Sequence, residues 1–215
     1  RIVSTGAATT LTIAQAGAVS KIVAVDTYST YDYTGYEELA AMDAVNLGSF
    51  YGETNHDYIV TSLINMVDNG EFSLDDTIIL TSYSSNRALY DRLTGIGFTK
   101  VLVWTTDSVP DYDAIVQMVS DVSMIASGTV PESVSSMLEK TQTVSDAVSG
   151  VTERTKALFV WYTGGEFSVG NSSIMNSMLE VANAENIGYN GSTASHYGDC
   201  LLYTSPSPRD ISGSR

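Results

Sequence analysis

Arg1-Ile-Val-Ser-Thr-Gly-Ala-Ala-Thr-Thr-Leu-Thr-Ile-Ala-Gln-Ala-Gly-Ala-Val-Ser-Lys-Ile-Val-Ala-Val-Asp-Thr-Tyr-Ser29 opens the chain with two apolar runs on either side of a helix-like segment. A short apolar run, Ile2 and Val3, ends in a turn of small residues. A helix-like stretch follows and is closed by Gly17. A second apolar run, Ile22 to Val25, then stops at Asp26 and an aromatic loop. That order predicts a strand–helix–strand unit. So short a crossover forces a parallel pair, with both following loops at one edge. Open parallel sheets take their ligands at that edge.

The rest of the first half continues the alternation. Residues 30–54 read as loop, punctuated by Gly35, Gly48 and Gly52. Thr54 or Asn55 caps a helix whose apolar positions are Ile59, Leu63, Ile64 and Val67, and Asn69-Gly70 ends it. Thr77 to Leu80 is a buried-type strand, a helix from about Asn86 stops at Gly95 or Gly97, and Val101 to Trp104 is the next strand. Residues 1–105 therefore read as a parallel sheet with helices on its faces. A helix from Asp111 to Ala126 follows, with Ile115, Met118, Val119, Val122 and Ile125 as its stripe. Gly128 breaks it, and Pro131 opens a longer helix of about 30 Å. Val134, Met137, Leu138, Val144, Val148 and Val151 keep that helix's stripe. Ala157 to Tyr162 reads as one further strand, Gly164-Gly165 as its loop, and Ser172 or Ser173 as the start of a helix to about Ala182.

Composition narrows the function. The formal charge of −15 excludes nucleic acid as a partner, since no basic cluster exists to neutralise phosphates, and disfavours adsorption to anionic lipid. No apolar run of about 20 residues spans a membrane, and the chain begins at Arg1 already inside a strand, so a leader and early mature residues are expected to be missing. At the other end, Cys200-Leu-Leu-Tyr-Thr-Ser-Pro-Ser-Pro-Arg-Asp210 is what a transposase-type sequencing adapter encodes when read in frame. Residues 200–215 are expected to be that artefact, which removes the sole cysteine and with it any disulfide or thiol chemistry. His56 and His196 stand in no metal-ligand spacing. Ser4-Thr-Gly-Ala-Ala-Thr9 lacks the dinucleotide glycines, Gly164 to Gly170 lacks the P-loop lysine, and no nucleophile elbow is present.

The opening also resembles the start of the substrate-binding proteins of ABC importers for chelated metals, which take up iron–siderophores, haem and cobalamin. The order Arg-Ile-Val-Ser, a turn near Ala7-Ala-Thr9, a helix ending in Gly, an apolar strand and a Tyr-Ser loop is similar throughout residues 1–29. Asn46-Leu-Gly-Ser49, which resembles the family's short strand before its next helix, and Ala184-Glu-Asn-Ile187 extend the resemblance to about residue 190. It implies an α/β protein of two Rossmann-like lobes with parallel sheets joined by a long helix, the second lobe incomplete. In those terms residues 1–127 are the N-terminal lobe, 128–153 the connecting helix and 154–199 the start of the C-terminal lobe. The implied protein is an extracytoplasmic, monomeric receptor without a cofactor of its own. It would hold a metal chelate between its lobes and deliver it to an ABC permease.

Site residues follow from the edge loops. Tyr28 and Tyr31 come after the second strand, Phe50 and Tyr51 after Leu47-Gly48, Tyr83 after Leu80 and Trp104 after Val103. Tyr162, Glu166 and Phe167 occupy the glycine-rich loop of the second lobe. Aromatics can stack on a planar macrocycle or an aryl chelator and wall off water; loop tyrosines on a solvated surface are the plainer reading. Some relatives hold haem through His or Tyr, which leaves tyrosine ligation of a haem iron open. The resemblance assigns Asp57 to permease docking, because the family carries a Glu just after an Asn-X pair and Asn55-His56-Asp57 sets a carboxylate there. Its plainer role is helix N-terminal charge. Rival functions are a cell-surface adhesion or sensory module on the same fold, and a chelatase-like enzyme.

Overall fold

In the computed structural model, which describes residues 1–30, 37–50, 52–81, 84–104, 112–158, 160–163, 166–171, 173–188 and 196–198, the opening stretch forms a strand–helix–strand unit. β1 (Ile2–Ser4) leads through α1 (Ala7–Gln15) to β2 (Ile22–Val25), and the two strands pair in parallel. After α2 (Glu37–Ala40), β3 (Val45–Asn46) extends the sheet beyond β2. Residues 30–54, read as loop with a short strand at Asn46–Ser49 implied by the resemblance, thus supply a helical turn and an edge strand that begins one residue earlier. Both residues of β3 are exposed, so no apolar run announces it. α3 (His56–Asp68) then leads to β4 (Thr77–Thr81) on the far side of β1, and α4 (Ser84–Ile96) to β5 (Lys100–Trp104). The sheet runs β3-β2-β1-β4-β5, with every pair parallel.

The apolar pattern explains why this sheet forms. Val3, Ala24, Ile78, Leu80 and Val101 share a buried cluster with Ile59, Leu63 and Met66 of α3 and Leu89 and Leu93 of α4. Each fully buried aliphatic side chain contributes about 1.5–3 kcal/mol relative to exposure. α1, α3 and α4 all close the same way, with paired bonds from the residues just past the helix to its last turn. These are Gly17 N–H to the Ala14 carbonyl and Ala18 N–H to Ile13. Gly70 N–H meets Val67 and Glu71 N–H meets Met66. Gly97 N–H meets Thr94 and Phe98 N–H meets Leu93, which settles the α4 end at Gly97 rather than Gly95.

α5 (Tyr112–Ser127) buries Val116, Met118, Val119, Val122 and Ala126 and leaves Ile125 exposed, a rotation of the expected stripe. It bounds a pocket of about 370 Å³ with Ile79 and Leu102 of the sheet. α6 (Glu132–Val148) starts directly after Pro131, as its sequence requires, but only Val134 of its stripe is buried. The chain divides into two compact units, Arg1–Asp107 with Asp113–Leu138 and Ser108–Tyr112 with Glu139–Arg215.

The second unit departs from the sequence reading. The single strand expected over 157–162 is two: β6 (Thr155–Ala157) and β7 (Val160–Thr163). β7 pairs antiparallel with β8 (Glu166–Asn171). Two residues separate those strands, and so short a link permits only an antiparallel pair. α7 (Ser173–Val181) leads to β9 (Ala184–Asn186), which pairs in parallel with β6, and β10 (His196–Gly198) adds to β8. The described second unit is therefore one antiparallel three-stranded sheet and one parallel pair, not the parallel sheet that was expected. Residues 200–215 lie outside the described residues.

Candidate functional site

Five parallel strands bring their C-terminal ends to one edge. The chain winds outward from β1 to β2 and β3, then crosses back to β4 and β5, so its direction switches between β1 and β4. Open α/β sheets take ligands in the crevice outside such a point.

Hydroxyl groups tie β1 to β4 at that edge. Thr5 Oγ1 donates to the Ile79 carbonyl at 3.1 Å and accepts the Thr81 N–H at 2.8 Å. The Thr81 carbonyl accepts from Asn86 Nδ2, in the first turn of α4. Gly6 begins α1 at φ 81°, and a Cβ there would come 2.5 Å from Thr81 Cγ2. The backbone can pass this close to β4 only without a side chain.

A second polar line runs under the loop after β2. Asp26, only 2% exposed, accepts through Oδ1 from Ser29 Oγ at 2.5 Å and from Ser29 N–H at 3.1 Å. Ser29 Oγ lies 2.7 Å from Thr10 Oγ1 of α1, and Thr10 Oγ1 lies 2.8 Å from Ser4 Oγ of β1. All four residues are buried. The neighbouring loop after β3 is tied to this one, with Thr27 N–H donating to the Gly48 carbonyl at 3.1 Å. Asn55 Nδ2 holds it from α3, donating to the carbonyls of Leu47 and Ser49 at 2.9 Å each.

The residues singled out by sequence divide over this frame. Tyr28 sits at the edge, 37% exposed, in a short 3₁₀ turn over Thr27–Thr30. Trp104 ends β5 opposite Thr81, so its backbone also reaches the edge. Phe50 is a correction: at 2% exposure it belongs to the core cluster with Leu47 and Ile59, and its ring faces protein. Tyr162 and Phe167 are cross-strand partners in the β7–β8 hairpin, as are Thr163 and Glu166. Tyr31, Tyr51 and Tyr83 lie outside the described residues. Asp57 stands in the first turn of α3 and pairs with Arg92 of α4 at 2.6 Å, its side chain 90% exposed.

Sequence reasoning missed the Asp26–Ser29–Thr10–Ser4 line. Its one legible signal is Asp26-X-X-Ser29, a spacing at which an Asp side chain binds the backbone ahead of it. His56 lies apart from this line, at the start of α3. It is buried, its Nε2 has no hydrogen-bond partner, and burial lowers its pKa. Among the described residues, no three His, Cys, Asp or Glu side chains gather as a metal site. A second pocket, of about 290 Å³, lies within the second unit between Tyr112, Lys140, Val144 and Met178. Among the described residues, none of the expected site residues lines either pocket.

Comparison with solved structures gives this architecture a family context. The chain has the fold of the periplasmic haem- and siderophore-binding proteins. It superposes on the periplasmic haem-binding protein HutB of Vibrio cholerae with a TM-score of 0.58, at 20% identity over 91% of this chain and 68% of that one. On Staphylococcus aureus IsdE complexed with haem the TM-score is 0.62, at 15% identity over 94% and 71%. On the siderophore periplasmic binding protein from the fuscachelin gene cluster of Thermobifida fusca it is 0.56, at 18% identity over 86% and 63%. The chain therefore spans roughly two thirds of these periplasmic binding proteins. At such identities the likeness is one of fold. No protein-family model and no curated protein matches the sequence. No described helix is long and apolar enough to cross a membrane.

Proposed function

We propose that this chain is the receptor part of an ABC importer, binding a metal chelate outside the cytoplasm: haem, a ferric siderophore or cobalamin. The observation that carries the reading is the fold match to haem- and siderophore-binding proteins, joined to a sheet edge rich in hydroxyls and aromatics. Tyr28 is the exposed aromatic that the first unit offers to the ligand, with Trp104, Tyr31, Tyr51 and Tyr83 at the same sheet edge by sequence. Tyr162, Glu166 and Phe167 serve the second. The half-buried Thr81 offers its hydroxyl to polar groups of the chelate, and the buried Thr5 braces it. Asp57 is the carboxylate offered to an arginine of the permease, and Arg92 neutralises it until then. The two-lobed scheme, with residues 128–153 as connector and 154–199 as the start of a second lobe, belongs to this proposal, as does a monomeric receptor.

Titration with haemin, a ferric tris-catecholate and cyanocobalamin tests it. Trp104 and Trp161 fluorescence and, for haemin, the Soret band report binding. Saturable 1:1 binding of one ligand with a Kd below about 1 μM is the expected result. Flat titrations with all three would overturn the reading and favour a surface module that carries no chelate.

A further inference from the structure

Resting on the function just proposed, we infer that Asp26 is a positioning residue for the chelate site: it never touches ligand but fixes the turn that presents Tyr28. Asp26 is 2% exposed, whereas Tyr28, two residues on, is 37% exposed. The backbone between them is clamped on both sides. Ser29 returns to Asp26 through three bonds, from its N–H to the Asp26 carbonyl and to Oδ1, and from its hydroxyl to Oδ1. Thr27 is held to the next loop through the Gly48 carbonyl. Tyr28 lies inside the loop these bonds close.

A carboxylate also dictates the direction of every proton in the line. It only accepts, so Ser29 must spend its single hydroxyl proton on Asp26. Ser29 Oγ then accepts from Thr10, and Thr10 Oγ1 accepts from Ser4. One buried acceptor thereby sets three hydroxyl rotors and ties the Tyr28 turn to α1 and β1. Presenting a contact residue already ordered saves the ordering cost at binding, and this is how a buried group can change affinity without contact. An amide in place of the carboxylate can donate as well as accept, so the direction of the line is no longer fixed.

The test is a double-mutant cycle on the intact chain, read by haemin and ferric tris-catecholate titration. Tyr28→Ala, Asp26→Asn and the double variant are compared with the unaltered chain, and far-UV circular dichroism establishes that each is folded. Tyr28→Ala and Asp26→Asn are each expected to weaken binding about tenfold, the equivalent of 1.4 kcal/mol. The double variant should be no weaker than Tyr28→Ala alone, because Asp26 acts only through that side chain. Should Asp26→Asn fail to fold, Thr10→Val interrupts the same line one link away and is expected to show the same non-additivity. Losses that add, or a folded Asp26→Asn that binds as the unaltered chain does, overturn the inference and leave the function standing. So does a Tyr28→Ala variant with unchanged affinity. If the unaltered chain binds neither probe and cyanocobalamin also fails, the functional reading falls first and the positioning role falls with it.

Discussion

Among the side chains described, the two units bury apolar groups to different extents. In the first, Ile13, Leu47, Ile59, Leu63, Ile78, Leu80, Leu89 and Leu93 are fully enclosed. In the second, Ala184 is the buried apolar residue among the side chains described, while Val144, Val151, Met178 and Ile187 are 43–56% exposed. Polar ties also join its described segments. Arg154 donates to the Ala184 carbonyl, and Asn183 Nδ2 to the Val151 carbonyl at 2.8 Å. Hydrogen bonds exchanged with water contribute about 0.5–1.5 kcal/mol each, less than a well-buried Leu. Among the described side chains the first unit is the better enclosed, and from these the second is expected to open at lower cost.

The largest expected effect separates the two directly. Leu63→Ala removes a fully buried side chain and is expected to cost about 2–5 kcal/mol. Met178→Ala trims a half-exposed one and should stay within about 0.5 kcal/mol. One tryptophan lies in each unit, so Trp161→Phe leaves Trp104 to report the first and Trp104→Phe leaves Trp161 to report the second. In urea, the Trp161 signal should be lost at lower denaturant than the Trp104 signal, and Leu63→Ala should move the Trp104 transition. A single coincident transition for both tryptophans would break the comparison and make the chain one cooperative body.

A smaller effect tests the sheet edge within the first unit. Gly6 and Gly17 both have positive φ, 81° and 70°. An alanine at Gly17 meets nothing within 4 Å, so Gly17→Ala should cost only the left-handed penalty of about 1–2 kcal/mol. Gly6→Ala adds a contact with Thr81, whose hydroxyl neighbours Thr5 at 3.3 Å and whose branched side chain has little room to turn. It should cost about 1–3 kcal/mol more, as overpacking does. Equal losses at the two glycines, measured by urea midpoints on the Trp104 signal, would show that Thr81 gives way freely.

The same contrast governs how much could be read from sequence. β1, β2 and β4 are apolar runs buried on both faces, β5 is an apolar run with Leu102 exposed, and all four declare themselves. Gly17, Gly70 and Gly97 mark helix ends because the chain must turn left-handed there. β3 is two exposed residues held by its neighbour's backbone, so periodicity does not mark it, and only the resemblance at Asn46–Ser49 pointed to a strand there. The β7–β8 hairpin escaped because the strand Val160–Thr163 resembles a buried parallel strand in composition, and only its two-residue link betrays the pairing. Periodicity also misplaced Ile125 on α5, since a stripe fixes which residues share a face but not how far that face is rotated toward its partner. At the sheet edge, the sequence expectation of an aromatic after β2 meets a Tyr28 that is 37% exposed. Phe50 was misjudged by the same rule, because proximity to a strand end does not say whether a ring turns outward or into the core. The line from Asp26 to Ser4 joins residues up to twenty-five positions apart in sequence, and only the fold brings them together.

The smallest expected effect concerns acid. His56 opens α3 and is 2% exposed, with Nε2 buried and unpaired. Burial is the main cause lowering its pKa below the ordinary 6.5; Glu53 and Asp57 oppose the shift and Arg92 adds to it. The positive end of the helix also disfavours an imidazolium at this position. As pH falls below about 6.5, the unfolded chain takes up the proton before the folded one does, so protonation drives unfolding. Stability of the first unit should therefore be complete above that pH. It should decline below it until the lowered folded pKa is passed. Urea midpoints of the Trp104 transition at about pH 8 and about pH 5.5 read this directly, and His56→Gln, which cannot titrate, should reduce the difference between them. The second unit supplies the control: its described side chains include no buried histidine, so its Trp161 transition should not lose the component that His56→Gln removes. An undiminished acid slope in the His56→Gln chain would place the responsible proton on another group and uncouple the burial of His56 from the stability of the unit around it.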